Sequence, residues 1–161
     1  MSEETPHFLK PEPGQDIDWF INVAAKSGEV DRADVVRGCE RAEYLLWIGE
    51  AAAPLSVAVL KNPKIGYKTH TFEKAQIPGS TSHYRYEFGY AFTEVPYRRR
   101  RCGERLLQES LRPTEGHKVY ATARTDNDVI HRLLLRTGFE RSGKDYPSER
   151  TPCVMLALFL R

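Results

Sequence analysis

The sequence predicts a single α/β (α+β) domain over residues 1–161, and three observations carry that reading. Its 161 residues, 40% of them hydrophobic, suffice for one core that buries roughly 70% of the unfolded chain's surface. Short runs rich in β-branched and aromatic residues alternate with stretches of helical period. Near the middle, a strand passes through a tight turn into a helix and on to a second strand. That order makes the two strands parallel with a right-handed crossover.

From the N-terminus, His7 to Glu12 reads as a short first strand, and Pro13-Gly14 breaks it. DIDWFINVAAK then places Ile17, Phe20, Ile21 and Ala24 at helical spacing, with Asp16 and Asp18 where negative charge suits the helix dipole. A second helix is expected from near Asp31 or Asp34 through Arg41, and YLLWIGE and PLSVAVLK read as the strands of a hairpin. From Asn62 to Ser82, with Pro63, Gly66, Pro78 and Gly79 and no sustained period, a long loop is expected.

YRYEFGYAFTEV is the clearest strand. Tyr84, Tyr86, Phe88, Tyr90 and Phe92 alternate with Arg85, Glu87, Gly89, Ala91 and Thr93, giving one aromatic face and one face of mostly small residues, with Gly89 marking a bulge or a close approach. Pro96 ends it. Leu106, Leu107 and Leu111 form a helical stripe that Pro113 and Gly116 stop, and VYATA follows as a strand. Asn127 caps a further helix whose buried stripe is Val129, Ile130, Leu133 and Leu134, with Gly138 closing it before the final strand VMLALFL.

Charge and cysteine usage exclude several classes. The 24 Lys and Arg nearly balance 22 Asp and Glu, for a net charge of +2, so a chain devoted to polyanions is disfavoured. Cys39, Cys102 and Cys153 are scattered and show no metal-ligand spacing, so neither a disulfide framework nor a metal site is expected. The start MSEETPHFLKPEPG is acidic and Pro-rich, without a signal-type apolar segment. A soluble, cytoplasmic protein with no membrane partner is the expectation.

The basic character is local. Arg98, Arg99, Arg100 and Arg101 precede Cys102-Gly103 at the carboxyl end of the aromatic strand and the start of a helix. There, backbone N–H groups lack intrahelical partners and the helix dipole adds positive charge, so a pyrophosphate can be held by main chain. Arginine forks at the rim add charge-assisted bonds to phosphate.

This turn resembles the acyl-CoA signature of the GNAT superfamily of N-acetyltransferases, R/Q-x-x-G-x-G/A. Arg98 and Gly103 match its first and last positions, Tyr97 and Glu104-Arg105-Leu106-Leu107 extend the match, and Arg101 stands where the first glycine is usual. ARTDNDVIHRLLLRTGFERSG is similar to the family's second signature, with Asn127 opening the helix and Gly138-Phe139 closing it. The resemblance covers roughly Tyr44 to the end. It implies a central mixed, mostly antiparallel sheet, splayed between its fourth and fifth strands and flanked by helices. It further implies an acetyl-CoA cosubstrate whose pantetheine lies in that gap, bonded to the backbone of Thr93, Glu94 and Val95. Arg98 to Arg101, Cys102, Gly103, Glu104 and Asn127 would complete the cofactor site.

Direct acyl transfer to an amine needs a base for the amine proton and a proton for the departing thiolate. Glu87 is the candidate base, eleven positions before Arg98, where some relatives that acetylate protein lysines carry a catalytic glutamate. Its alternative is an exposed glutamate paired with Arg85 or a lysine. The family's usual acid, a tyrosine seven residues after the helix-opening Asn, is replaced by Leu134. Tyr90 or Tyr120 can substitute only by turning into the cleft, and otherwise solvent protonates the thiolate. His131 is expected on the solvated side of its helix, and Cys102 as a small loop residue rather than a nucleophile.

The acceptor is expected to be a small-molecule or protein amine, and homodimerisation is left open. Lys61, Lys64, Lys68 and Lys74 against Glu73 weigh against a strongly cationic acceptor. Two alternatives stand beside the enzyme. One is a nucleic-acid module built on Arg98 to Arg101, which the near-neutral remainder of the chain disfavours; the other is a GNAT fold that binds CoA or a partner without catalysis.

Overall fold

The computed structural model describes residues 5–79, 81–114 and 116–161. Among the described residues seven strands form a mixed sheet flanked by helices, in the order Pro6–Leu9, Ala42–Glu50, Ala53–Lys61, Tyr84–Thr93, Lys118–Arg124, Met155–Leu160 and Glu140–Pro147; the mixed, helix-flanked sheet is the one the resemblance implies, and Glu140–Pro147 is a strand the sequence does not predict. The chain divides into two compact units, Met1–Asn62 with Phe88–Pro113, and Pro63–Glu87 with Thr114–Arg161.

In the first unit β1 (Pro6–Leu9) pairs antiparallel with β2 (Ala42–Glu50), which pairs with β3 (Ala53–Lys61) in the expected hairpin. Helix α1 (Asp18–Ala24) buries Phe20, Ile21, Val23 and Ala24, one face of a 3.6-residue period, and carries Asp18 in its first turn. Helix α2 (Arg32–Glu40) buries Val35 and Cys39, four apart. These side chains join Leu45, Val57 and Val59 in one core, against which Tyr90 and Phe92 of β4 (Tyr84–Thr93) pack. Gly38 makes that docking feasible: a Cβ there would stand 2.4 Å from the Tyr90 ring. Tyr90 then donates its hydroxyl to the Asp34 carbonyl at 3.2 Å.

Tyr90 has a φ of 50°, which interrupts the two-residue alternation of β4. Before it, Tyr86, Glu87 and Phe88 are buried in succession, so both faces of β4 are covered there.

The second unit contains α3 (Ile65–Lys74), β5 (Lys118–Arg124), α5 (Asp128–Arg136), β6 (Glu140–Pro147) and β7 (Met155–Leu160), with β5 and β6 both antiparallel to β7. Helix α3 lies where an unstructured loop is expected. Its buried residues are Lys68, Thr71 and Phe72, so only one large apolar side chain marks its inner face. Its end is held by β6, where the Lys144 amide donates to the Ala75 carbonyl at 2.8 Å. Gly143, at a φ of 68°, lies so close that a Cβ would meet that carbonyl oxygen at 2.2 Å. Phe72 and Ala75 share a core with Tyr120, Tyr146 and Leu158.

Helix α5 opens and closes as predicted. The Asn127 side chain accepts from the Ile130 amide at 3.2 Å, and Gly138 (φ 95°) lets the Phe139 amide reach back to the Leu134 carbonyl at 3.0 Å. Its stripe is narrower than expected. Leu134 is buried, but Val129 is 70% exposed. His131 is half-buried, not solvated: its Nε2 lies 2.9 Å from the Arg124 carbonyl, and its ring packs on Phe159.

Candidate active site

In the first unit, a 3₁₀ turn over Val95–Tyr97 leads from β4 to the arginine turn, and α4 (Cys102–Leu111) begins immediately after it. Arg99 and Arg101 adopt left-handed conformations, with φ of 69° and 59°. Arg101 occupies the N-cap position of α4. The helix therefore starts on a residue whose backbone takes a glycine-like conformation, at the place where the resembling signature carries its first glycine.

All four arginines are exposed. Arg98 donates from Nε to the Thr93 carbonyl at 3.1 Å and lies over the Phe92 ring, while Arg100 lies over Tyr97. Two guanidinium groups are thus folded onto aromatic rings of the turn itself. Among the other expected cofactor residues, Thr93 Oγ1 lies 2.8 Å from the Ser56 hydroxyl. The Glu94 amide donates to the Leu55 carbonyl at 2.9 Å, and its carboxylate pairs with Lys26. Val95 is 66% exposed. Cys102 is buried with its thiol toward the Tyr97 carbonyl, Gly103 is the second residue of α4, and Glu104 lies in that helix's first turn. A hollow of about 470 Å³ adjoins the turn, bordered by Trp19, Pro54, Glu94, Pro96 and Tyr97.

The second unit holds Glu87, and Asn127 at the start of α5. Glu87 is not the exposed strand glutamate of the alternative reading: it is 2% exposed. Its Oε2 accepts from the Tyr120 hydroxyl at 3.1 Å. Tyr120 is fully buried, and burial followed by the Glu87 charge drives its phenol far above the ordinary tyrosine range. It therefore stays protonated at any working pH and serves as a fixed donor. Tyr67 and Tyr146 also lie within electrostatic reach of Tyr120, and burial pushes the Tyr146 phenol up as well. A carboxylate among hydroxyl groups and aromatic carbon is the arrangement that results.

The sequence puts Glu87 forward as the candidate base and leaves open whether Tyr90 or Tyr120 turns into the cleft; the pairing of Tyr120 with Glu87 is not anticipated. Tyr67 lies in α3, within the stretch Asn62 to Ser82 for which a loop is expected. Leu134, at the usual tyrosine position, is buried. Among the described residues no group of His, Cys, Asp or Glu is arranged to hold a metal ion, and no helix is long and apolar enough to cross a membrane.

Comparison with known proteins agrees with the fold. An acetyltransferase of the GNAT family from Streptococcus agalactiae aligns over 97% of this chain and 94% of its own, at 14% identity and a TM-score of 0.65. Ard1 from Thermoplasma volcanium aligns over 98% and 97%, at 16% identity and a TM-score of 0.65. An acyl-CoA N-acyltransferase from Pseudomonas aeruginosa aligns over 98% and 99%, at 13% identity and a TM-score of 0.62. No family profile matches the sequence, and no curated protein does either. The chain has the GNAT fold.

Proposed function

We propose that the protein is an N-acetyltransferase that moves an acetyl group from acetyl-CoA directly to a primary amine. The observation that carries this reading is the strand-turn-helix at Arg98–Gly103, set in a fold shared with GNAT acetyltransferases over nearly the whole chain. The donor set suits a pyrophosphate: the amino end of α4, a backbone turned left-handed at Arg99 and Arg101, and exposed guanidinium groups. Because two arginines are stacked on their own turn, the run suits one compact anion better than an extended polyanion.

Glu87 acts as the base. In the transfer, the amine nitrogen bonds to the acetyl carbonyl carbon as the carbon–sulfur bond breaks; Glu87 takes the amine proton, and solvent protonates the thiolate. Tyr120 holds the carboxylate through its hydroxyl, which is directed to Glu87 Oε2. With Leu134 buried, no side chain is assigned as the acid.

CoA should bind and raise the melting temperature, as any ligand selective for the native state must. Calorimetry that detects no binding at millimolar CoA to the folded protein sinks this reading.

A further inference from the structure

The hollow beside the arginine turn is left unused by the transfer chemistry. It holds about 470 Å³, inside the range of about 300–1,000 Å³ in which small-molecule sites fall, and the residues that line it all belong to the first unit. Three segments wall it: α1 with the turn after it, the β2–β3 turn, and the chain leaving β4. Bonds tie these walls together. The Glu94 amide donates to the Leu55 carbonyl at 2.9 Å, and Lys26 donates from Nζ to the Glu94 carboxylate. The shape is therefore set before any ligand arrives.

Its lining is of two kinds. Val23 and Pro54, both buried, and the half-buried rings of Trp19 and Tyr97 supply apolar and aromatic carbon. Trp19 is itself held edge-on to Trp47, with ring centroids 5.1 Å apart. The polar groups come from Lys26, Glu94 and Asn22. As an ion pair, Lys26 and Glu94 favour neither a cation nor an anion, but they set spare ammonium hydrogens beside spare carboxylate lone pairs. Asn22 accepts from Arg32 through Oδ1 at 2.7 Å, so its amide nitrogen is the group left to donate. A neutral flat ring with a donor next to an acceptor uses both the aromatic surface and this pair. Adenine, with an amine beside a ring nitrogen, is such a ring.

The neighbouring turn decides what that ring is attached to. Pro96 and Tyr97 line the hollow and lead directly into the arginines, and the Arg100 guanidinium lies 5.3 Å from the Tyr97 ring centroid. A molecule spanning both places carries a neutral heteroaromatic ring at one end and phosphate at the other.

We propose that the hollow binds the base of an adenine nucleotide whose phosphates lie on the arginine turn, so that free ADP fills the two together without any pantetheine and displaces CoA. This rests on the reading of that turn as a pyrophosphate site.

Calorimetry with ADP and with inorganic pyrophosphate, on wild type and Ala52→Trp, tests the assignment. Ala52 is exposed and lines the hollow, so tryptophan there fills the space and spares the core. Wild type should bind ADP about tenfold or more tighter than pyrophosphate. Ala52→Trp should erase that advantage while leaving pyrophosphate binding as it was, and ADP but not pyrophosphate should move the Trp19 indole N–H signal in an NMR spectrum. Equal affinity for the two ligands, an ADP advantage that survives in Ala52→Trp, or an unmoved Trp19 signal would each overturn the proposal. CoA titrated into the same samples separates the failures. CoA that binds and is not displaced by ADP ends this inference alone; absence of binding by CoA, ADP and pyrophosphate ends the transferase reading and this site with it. ADP bound with its advantage where CoA is not bound keeps the nucleotide site and ends the transferase reading.

Discussion

The arginine turn and the buried Glu87 hold their charges in opposite ways. Arg98 to Arg101 stand in water on consecutive residues, where each charge costs little to keep and binding energy must come from the geometry of the turn. Glu87 is withdrawn from water, at 2% exposure, where every interaction is magnified and a missing partner is expensive. The conspicuous charges of the sequence are the inexpensive ones. The carboxylate proposed as the base is an isolated residue on a strand.

The largest effect expected from this contrast is on Glu87. Glu87→Gln should keep the fold and CoA affinity while lowering turnover by roughly 10²-fold, the scale of a lost general base. The deficit should shrink at high pH, where the acceptor amine is already neutral. Turnover of both proteins against pH decides this, and a small, pH-independent difference would make Glu87 a structural carboxylate.

A smaller effect is expected at the turn. Arg101→Gly should stabilise the protein by about 1 kcal/mol, because glycine adopts the left-handed N-cap conformation without strain. Urea unfolding measures it. A loss of stability would mean that the Arg101 side chain contributes more than its backbone costs.

The smallest effect belongs to a wet ion pair. His70 and Glu149 lie 2.7 Å apart with both side chains more than half exposed. The hydrogen bond from His70, and then the charge of Lys74, hold the Glu149 carboxyl below the usual range. A folded value below the unfolded one, about 4.3, stabilises above that pH and is lost as pH falls through the folded value. Glu149→Gln should therefore shift the urea midpoint slightly at pH 7 and progressively less as the pH is lowered through the carboxylate range, and a large shift at pH 7 would contradict the contrast drawn here.

Much of the fold was legible from the sequence because apolar period and capping chemistry are local. The hairpin, β4, and Asn127 and Gly138 at the ends of α5 all follow from side chains within one element. Helix α3 was not, because IGYKTHTFEK buries a lysine and a threonine beside its single phenylalanine, leaving no apolar stripe to detect. Strand β6 escaped for a related reason: ERSGKDYP buries only Tyr146, so its polar residues show no alternation. Within the candidate site, Arg101's conformation was foreshadowed by the glycine that the resembling signature places there. Spacing puts Glu87 forward as the candidate base, but its partner Tyr120 is distant in sequence, and only the folded chain decides which way that ring points.

The bond between Lys144 and Ala75 has a consequence for how these molecules behave at high concentration. Strand β6 is the last in the sheet, and a terminal strand invites a neighbouring molecule to extend the ladder. Here the register slips between Ser142 and Tyr146, the Lys144 amide is already spent on the end of α3, and Pro147 has no amide to offer. Arg141, Lys144 and Asp145 add charge along the same stretch. A second copy approaching this edge would find an interrupted row of donors, so the contact that anchors α3 also makes this edge a poor template for a further strand.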